Sequence, residues 1–291
     1  GSLLAHPKRF ENDWSIHTAG SVDLTIAFMG LSPLLEGEEG EAILSDNGDR
    51  TDIRLPQNQL DYLRRLASSG GKIILVLTGG SPIALDGVEE LVDAILFVWY
   101  PGQEGGRAVA DVLFGDHTPS GKLPLTFPRS LDDLPPFEDY NMAGRTYRYA
   151  TTEPLFPFGF GLSYTTFDYS RPEISESVVP SGKSVQVAVT VTNTGTRAGE
   201  EVVQCYLRDE EASVPVPQQS LVGFERVFLK PGESRRVEFT ISPEQMMVYD
   251  GDGLPLLESG RFTVTLGGCS PSRRGEALGA PRPASLVFDL K

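Results

Sequence analysis

The stretch Lys72-Ile73-Ile74-Leu75-Val76-Leu77 decides the fold of the first half of the chain. It is almost wholly apolar and carries β-branched side chains at several positions, which is typical of a strand buried on both faces. Strands of parallel sheets are buried in this way because helices cover both faces of the sheet. The stretch therefore predicts a strand of a parallel sheet.

Strand-like and helical segments alternate on both sides of this stretch. Residues 22–28 and 94–99 are short apolar runs of strand length, and the second run is predicted to be a buried strand. Residues 56–68, 88–92 and 104–113 have helical character. The alternation predicts an α/β domain, with a mostly parallel sheet and flanking helices. Ligands of such sheets bind at the C-terminal ends of the strands.

The second half of the chain has a different period. Residues 185–191 alternate strictly between apolar and polar side chains, and about seven short strands separated by Gly and Pro predict an immunoglobulin-like β-sandwich. Between the halves, a stretch rich in Pro, Gly and aromatic residues predicts an ordered loop that wraps the domain. We therefore predict domains at 1–127 and 167–291, joined by a wrapping linker at 128–166.

The composition excludes several classes of protein. The net charge is −15, and an acidic surface of this kind repels the phosphate backbone of nucleic acids. No apolar run is long enough to span a membrane. The two cysteines, Cys205 and Cys269, are expected to be buried small hydrophobic residues, although one bridge between them stays open. The cellular location of the protein stays open, and a bacterial periplasmic or secreted location is favoured.

An acidic segment follows the first predicted strand, at the place where an α/β site is expected. Glu36, Glu38, Glu39 and Glu41 lie within six residues, and their mutual repulsion raises the pKa of at least one of them. A carboxyl group that is still protonated near neutral pH can donate a proton. The alternative is a solvated acidic loop, which composition alone favours.

Two further candidates for a site are an arginine and a tryptophan. Arg50 follows Asp49 and can hold a carboxylate ionised or hydrogen-bond sugar hydroxyls, but a plain surface ion pair is equally compatible with the sequence. Trp99 ends a predicted strand and can stack on a sugar ring, although packing in the core is the more common role. From Asp46 the spacing fails the calcium-loop pattern, and no GxGxxG motif occurs. We therefore expect neither a metal nor a cofactor.

A set of motifs in a fixed order resembles the second domain of family 3 glycoside hydrolases. The motifs cover nearly the whole first half and the linker: Leu31-Ser32-Pro33-Leu34-Leu35-Glu36-Gly37-Glu38-Glu39, Gly48-Asp49-Arg50, Leu55-Pro56-x-x-Gln59, Gly80-Ser81-Pro82, Trp99-Tyr100-Pro101-Gly102-Gln103-Glu104-Gly105-Gly106, Pro119-Ser120-Gly121-Lys122-Leu123-Pro124, Gly144-Arg145-Thr146-Tyr147-Arg148-Tyr149 and Pro157-Phe158-Gly159-Phe160-Gly161. The remainder, including Gly199-Glu200-Glu201-Val202-Val203-Gln204, resembles the fibronectin type III-like domain that follows in many members.

The resemblance implies a division of catalytic groups between domains. In this family an N-terminal (β/α)8 barrel carries an Asp nucleophile, and the α/β sandwich supplies a Glu acid/base. In a retaining glycosidase the two carboxyl groups lie about 5 Å apart. The family pattern Glu-x-Glu-Gly-x-Asp-Arg places the acid/base on Glu38. An insertion at 41–47 lets the alignment slide, so Glu36 and Glu39 are the fallback positions.

The resemblance further implies a retaining, exo-acting β-glycosidase that removes terminal non-reducing β-linked sugars, β-glucosidase first and β-xylosidase second. A barrel needs about 250 residues, and none of it is present, so no nucleophile is assigned in this chain. The sandwich also lacks its opening strand and helix. We expect a partner chain or a cleaved segment to carry the barrel.

Two alternatives remain. The first is a non-catalytic carbohydrate-binding or scaffolding fragment. The second is N-acetylglucosaminidase or phosphorylase chemistry, against which the Glu-rich segment argues, because some of those relatives use a His-based acid in the barrel and often lack this domain.

Overall fold

The computed structural model of the chain describes residues 13–36, 45–46 and 49–291. The described residues form two compact units. The first unit runs to Leu113 and also contains Phe127–Leu134, and the second contains Phe114–Thr126 and Pro135–Lys291. The domain limits that the sequence indicates stay predictions.

The first unit is built on a parallel sheet, as the sequence predicts. The described strands of this unit are β1 (Leu24–Gly30), β2 (Ser45–Asp46), β3 (Asp49–Arg50), β4 (Lys72–Thr78) and β5 (Ala94–Phe97). Strand β4 lies between β1 and β5 and is parallel to both. Strands β2 and β3 form a separate antiparallel pair.

Four α-helices accompany the strands of the described first unit: α1 (Trp14–Ala19), α2 (Pro33–Glu36), α3 (Gln57–Ser68) and α4 (Gly105–Leu113). Two short 3₁₀ helices, Val88–Glu90 and Leu131–Asp133, lie in the same unit. Helix α3 packs on β4 and buries Leu60, Leu63 and Leu66, which recur at helical spacing on one face. Each of these side chains is at most 2% exposed, and burial of one leucine contributes about 2 kcal/mol to folding. The predicted helix at 56–68 is therefore confirmed within one residue.

The β1 part of one face of the sheet is apolar and exposed. Leu24, Ile26 and Phe28 are 43%, 39% and 62% exposed, and they share one face because strand side chains alternate. The prediction that residues 94–99 form a buried strand is wrong in two respects. Strand β5 ends at Phe97, and its residues are exposed or half-buried because β5 is an edge strand of the three-stranded sheet.

The second unit is an all-β sandwich, which confirms the predicted fold class. Its strands are β6 (Phe167–Tyr169), β7 (Glu173–Ile174), β8 (Val178–Val179), β9 (Val185–Asn193), β10 (Gly199–Asp209), β11 (Ser220–Leu229), β12 (Ser234–Ile241), β13 (Val248–Tyr249), β14 (Pro255–Leu256), β15 (Gly260–Gly267) and β16 (Ala284–Leu290). One sheet has the order β11-β10-β15-β16-β8, and the other has the order β12-β9-β6 with β7 beside β9.

The core of the sandwich lies between these two sheets. Val187 and Val191 of β9 join Cys205 of β10 and Val264 of β15 in one buried cluster. The same unit contains helices α5 (Thr146–Tyr149) and α6 (Arg273–Ala277). The Pro-rich part at its start is held by backbone hydrogen bonds of Leu123, which accepts from Gly159 and donates to Phe160.

Candidate active site

Three connections meet at the C-terminal edge of the parallel sheet. The chain leaves β1 after Gly30, β4 after Thr78 and β5 after Phe97. In a parallel sheet these ends lie on the same edge, where ligands of α/β domains bind. The acidic segment, the Gly79-Gly80-Ser81 turn and the pair Trp99-Tyr100 therefore all begin at this edge.

The exit from β1 is fixed by close backbone packing. Gly30 has a φ of 136°, and a Cβ at this position would lie 2.0 Å from the carbonyl oxygen of Thr78. The N–H of Leu31 donates to the same carbonyl at 2.8 Å. The backbone N–H and C=O of Gly30 are both bonded by the side chain of Gln59, which is buried in α3. The acidic segment therefore starts from a rigid point.

Glu36 is surrounded by hydrogen-bond donors. The N–H of Gly80 lies 3.1 Å from both carboxylate oxygens, and the Ser81 hydroxyl donates to Oε1 at 2.6 Å. The Tyr100 hydroxyl donates to Oε2. Burial raises the pKa of Glu36, but the bonds from these donors and the charge of Arg50 outweigh it, so the pKa lies below its ordinary value. Glu36 is therefore held as a carboxylate.

Arg50 joins the same group of side chains. Its Nη2 donates to the Ser81 hydroxyl at 2.8 Å and to the carbonyl of Pro82 at 3.2 Å. Its Nη1 is buried and has no hydrogen-bond partner within the described part of the chain. Burial lowers the pKa of Arg50, against the opposing charge of Glu36. Arg50 is thus linked to the Glu36 network through Ser81, and its role as a substrate contact or a plain ion pair stays a prediction.

Tyr100 provides the donor from the third connection. Burial, the hydrogen bond to Glu36 and the charge of Glu36 raise the pKa of Tyr100 well above its ordinary value. The phenol therefore stays protonated and keeps donating throughout the ordinary pH range.

Trp99 occupies a strained position just before this tyrosine. Its φ is 55°, which is uncommon for a residue other than glycine. The half-buried ring packs edge-on against Phe97, with ring centroids 4.6 Å apart, and against Phe127 at 6.4 Å. The ring therefore contributes to packing, and its stacking on a sugar stays a prediction.

The remaining predicted acid/base positions lie outside the described residues. Glu38 and Glu39 fall within 37–44, which the structure does not describe. Cys205 and Cys269 are buried and unbridged. Among the described residues, no cluster of three or more His, Cys, Asp or Glu side chains is arranged to hold a metal ion. Nor does any helix in the described ranges have the length and apolarity needed to cross a membrane.

Sequence reasoning did not find the roles of Gln59, Ser81 and Tyr100. Gln59 carried a usable signal, since it stands on the same helical face as the buried Leu63 and Leu66. A polar residue on an apolar face is expected to need a buried partner. Ser81 and Tyr100 stand within motifs, but spacing along the chain does not show that they meet at one carboxylate.

Comparison with known proteins assigns the two parts of the chain separately. The profile of the glycosyl hydrolase family 3 C-terminal domain matches residues 10–164, and that of the fibronectin type III-like domain matches residues 201–270. The chain is 40% identical to a periplasmic β-glucosidase of Salmonella typhimurium, over 88% of this chain and 34% of the relative. It is 44% identical to a xylan 1,4-β-xylosidase of Xylanibacter ruminicola, over 77% of this chain and 26% of the relative.

A solved structure gives the same result. A β-glucosidase from Erythrobacter marinus superposes with a TM-score of 0.79 at 34% identity, and the match covers 96% of this chain and 36% of that one. The chain spans between about a quarter and about a third of the length of these curated relatives.

Proposed function

Since the chain belongs to glycosyl hydrolase family 3, we propose that it is the C-terminal portion of a retaining, exo-acting β-glycosidase. The proposed activity releases terminal non-reducing β-linked sugars, with β-glucosides as the first candidate substrates and β-xylosides as the second. Relatives named for each of these activities support the two candidates. The first of them is named as periplasmic, which supports a periplasmic or secreted location.

The observation that carries the proposal is the network around Glu36. It fastens the start of the acidic segment to the two neighbouring connections at the sheet edge. An acid/base residue must be held within a narrow range of positions relative to its substrate. The network supplies a rigid origin for the segment that contains Glu38.

Glu38 is the proposed general acid/base. In a retaining mechanism it protonates the glycosidic oxygen while an Asp of the barrel attacks the anomeric carbon, and it then deprotonates the water that hydrolyses the glycosyl-enzyme. Two carboxyl groups and water complete this cycle without a cofactor. Glu36 is a poorer candidate because donors stabilise its ionised form. Glu39 is the remaining fallback.

Arg50 and Trp99 are proposed substrate contacts of lower rank. The buried Nη1 of Arg50 has no hydrogen-bond partner among the described residues, and a sugar hydroxyl is one acceptor that would fit it. Trp99 can stack on a sugar ring only with the part of its indole ring that Phe97 and Phe127 leave uncovered.

The barrel is proposed to come from a longer form of the protein or from a second chain. The chain matches only about a third of its relatives' length. The exposed apolar face of Leu24, Ile26 and Phe28 on an edge strand is a surface that further protein would cover.

The test compares Glu38→Gln with the matched control Glu90→Gln in protein that includes the barrel. Glu90 is an exposed residue of the same unit. We expect Glu38→Gln to lower kcat/KM on a p-nitrophenyl β-glycoside by about 10²- to 10⁴-fold, while Glu90→Gln stays at the wild-type value. Azide should restore turnover of a dinitrophenyl glycoside, because it attacks the glycosyl-enzyme without a general base.

Near-normal hydrolysis by Glu38→Gln would exclude Glu38, and the same assay of Glu39→Gln would then test the fallback. Sugar binding without hydrolysis, with the barrel present, would instead favour the carbohydrate-binding alternative. Parallel assays with aryl glucoside and aryl xyloside rank the two substrates.

A further inference from the structure

We infer that Glu36 is a positioning residue for the reaction, and that Ser81 and Tyr100 act with it by holding both ends of the segment between Glu36 and Arg50. The inference rests on the proposed function, because it presupposes that this segment carries the acid/base.

The first step is the origin of the donors. Gly80 and Ser81 follow β4, and Tyr100 follows β5. Their bonds converge on a carboxylate that follows β1. One side chain thus ties together all three strand ends of the sheet, and a charged acceptor makes these bonds stronger than neutral ones.

The second step is the role of Ser81. Its hydroxyl donates to Glu36 at 2.6 Å and accepts from Nη2 of Arg50 at 2.8 Å. Glu36 stands at the N-terminal end of segment 37–49 and Arg50 at its C-terminal end. A single hydroxyl therefore restrains both ends of the segment.

The third step is reach along the chain. Glu38 is two residues after Glu36, and two residues of chain extend at most about 7 Å. Glu36 is therefore a described, hydrogen-bonded residue that is close in sequence to the proposed acid/base. A displacement of a catalytic group by about 1 Å can lower the rate about 10²-fold.

The fourth step separates positioning from proton donation. The carboxylate of Glu36 accepts hydrogen bonds from both the Gly80 N–H and the Tyr100 hydroxyl. If Glu36 were protonated, its O–H hydrogen would face the hydrogen of one of these donors, and that hydrogen bond would be lost. A Cβ on Gly80 would lie only 3.0 Å from Oε2 of Glu36, so a glycine at this position lets the backbone N–H approach the carboxylate closely.

The experiment uses the barrel-containing protein with Glu36→Gln and Tyr100→Phe, beside the controls Glu90→Gln and Tyr140→Phe. Tyr140 is 90% exposed and lies in the other unit. We expect each test variant to lower kcat/KM on a poor leaving group by about 10- to 100-fold. The basic limb of the pH profile of kcat/KM, which reports the free enzyme's acid, should remain, and azide should give no rescue.

Three results would overturn the inference. Wild-type kcat/KM in both test variants would show that the network does not position the reacting groups. Loss of the basic limb together with azide rescue in Glu36→Gln would make Glu36 the acid/base itself. Circular dichroism of both variants shows whether a loss of rate comes from unfolding; Tyr100→Phe is the milder change, because it removes only one hydroxyl. If both variants are unfolded, the network has a structural role only.

The parallel Glu38→Gln measurement separates this inference from the proposed function. If Glu38→Gln is fully active while Glu36→Gln loses rate and keeps its basic limb, the assignment of Glu38 fails and the positioning role stands. If Glu38→Gln is inactive and Glu36→Gln is not impaired, the positioning role alone fails.

Discussion

The side-chain amide of Gln59 forms a double hydrogen bond with the backbone of Gly30. The Gly30 N–H donates to Oε1 at 2.8 Å, and Nε2 donates to the Gly30 carbonyl at 2.9 Å. Gln59 is only 4% exposed, so water does not replace these bonds if they are lost. The pair therefore couples helix α3 to the end of β1, where the acidic segment begins.

Replacement of Gln59 by Leu should destabilise the first unit by about 2–4 kcal/mol, because it leaves a buried N–H and a buried C=O without partners. Both tryptophans, Trp14 and Trp99, lie in this unit, so urea unfolding followed by tryptophan fluorescence measures it. The control Gln57→Leu on the exposed side of the same helix should change the free energy by less than about 0.5 kcal/mol. Equal losses in the two variants would contradict the prediction.

Gly30→Ala should be more damaging than an alanine at another left-handed glycine. At Gly30 the new Cβ would meet the Thr78 carbonyl oxygen at 2.0 Å, so the strand ends must separate. Gly70 also has a positive φ, 83°, but nothing lies within 4 Å of its Cβ position. We expect about 1–2 kcal/mol for Gly70→Ala from backbone strain alone, and a clearly larger loss for Gly30→Ala in the same fluorescence assay. Similar losses would mean that the β1 exit is not tightly packed.

Much of the fold could be predicted from sequence because periodicity reflects burial. The continuous apolar run at 72–77 is typical of a strand buried on both faces, and the alternation at 185–191 has the period of a strand with one buried face. The end of β5 could not be predicted in this way. Residues 94–99 are as apolar as an inner strand, yet the edge position leaves the β5 side chains partly exposed, and the left-handed φ of Trp99 interrupts the extended backbone soon after Phe97. Those properties depend on neighbours that are distant in sequence.

The candidate site was predictable only as a region. The acidic segment and its place after β1 follow from the chain, but the ionisation of Glu36 depends on Ser81 and Tyr100, which are 45 and 64 residues away. Clustered charge alone predicts a raised pKa for at least one of the carboxyls. At Glu36 the donors reverse that direction, and the clustering argument contains no information about them.

The two thiols should be inert in the native chain. Burial raises the pKa of Cys205 to about 12 and that of Cys269 to about 11, so neither is a thiolate near neutral pH, and the thiolate is the reactive form. Titration with a chromogenic disulfide should detect no fast-reacting thiol in the native chain and both thiols in guanidinium chloride. A fast-reacting thiol in the native state would show that one of these residues is accessible.

Adjacent residues Glu200 and Glu201 each form an ion pair in the second unit, and they offer a matched comparison. Glu201 lies 3.0 Å from Lys122, and these side chains are only 3% and 12% exposed. Glu200 lies 3.0 Å from Arg226, with side chains 38% and 50% exposed. Lys122→Met should lower the free energy of unfolding by about 3–5 kcal/mol, because it leaves a buried carboxylate unpaired. Arg226→Met should lower it by no more than about 1 kcal/mol. Urea unfolding followed by far-UV circular dichroism measures both.

The cost of Lys122→Met should also depend on pH. Burial raises the pKa of Glu201, while Lys122 and the N–H of Val202 lower it, so removal of Lys122 leaves burial less opposed and raises the pKa further. A carboxyl whose pKa is raised by folding stabilises the native state at low pH, and that contribution is lost as pH rises through the folded-state pKa. The variant should therefore lose more stability relative to wild type at about pH 8 than at about pH 5, where Glu201 can take up a proton. Lys122→Met combined with Glu201→Gln removes the titrating group and should abolish this difference. A loss that is equal at both pH values in Lys122→Met would mean that the buried carboxylate is not what destabilises the variant.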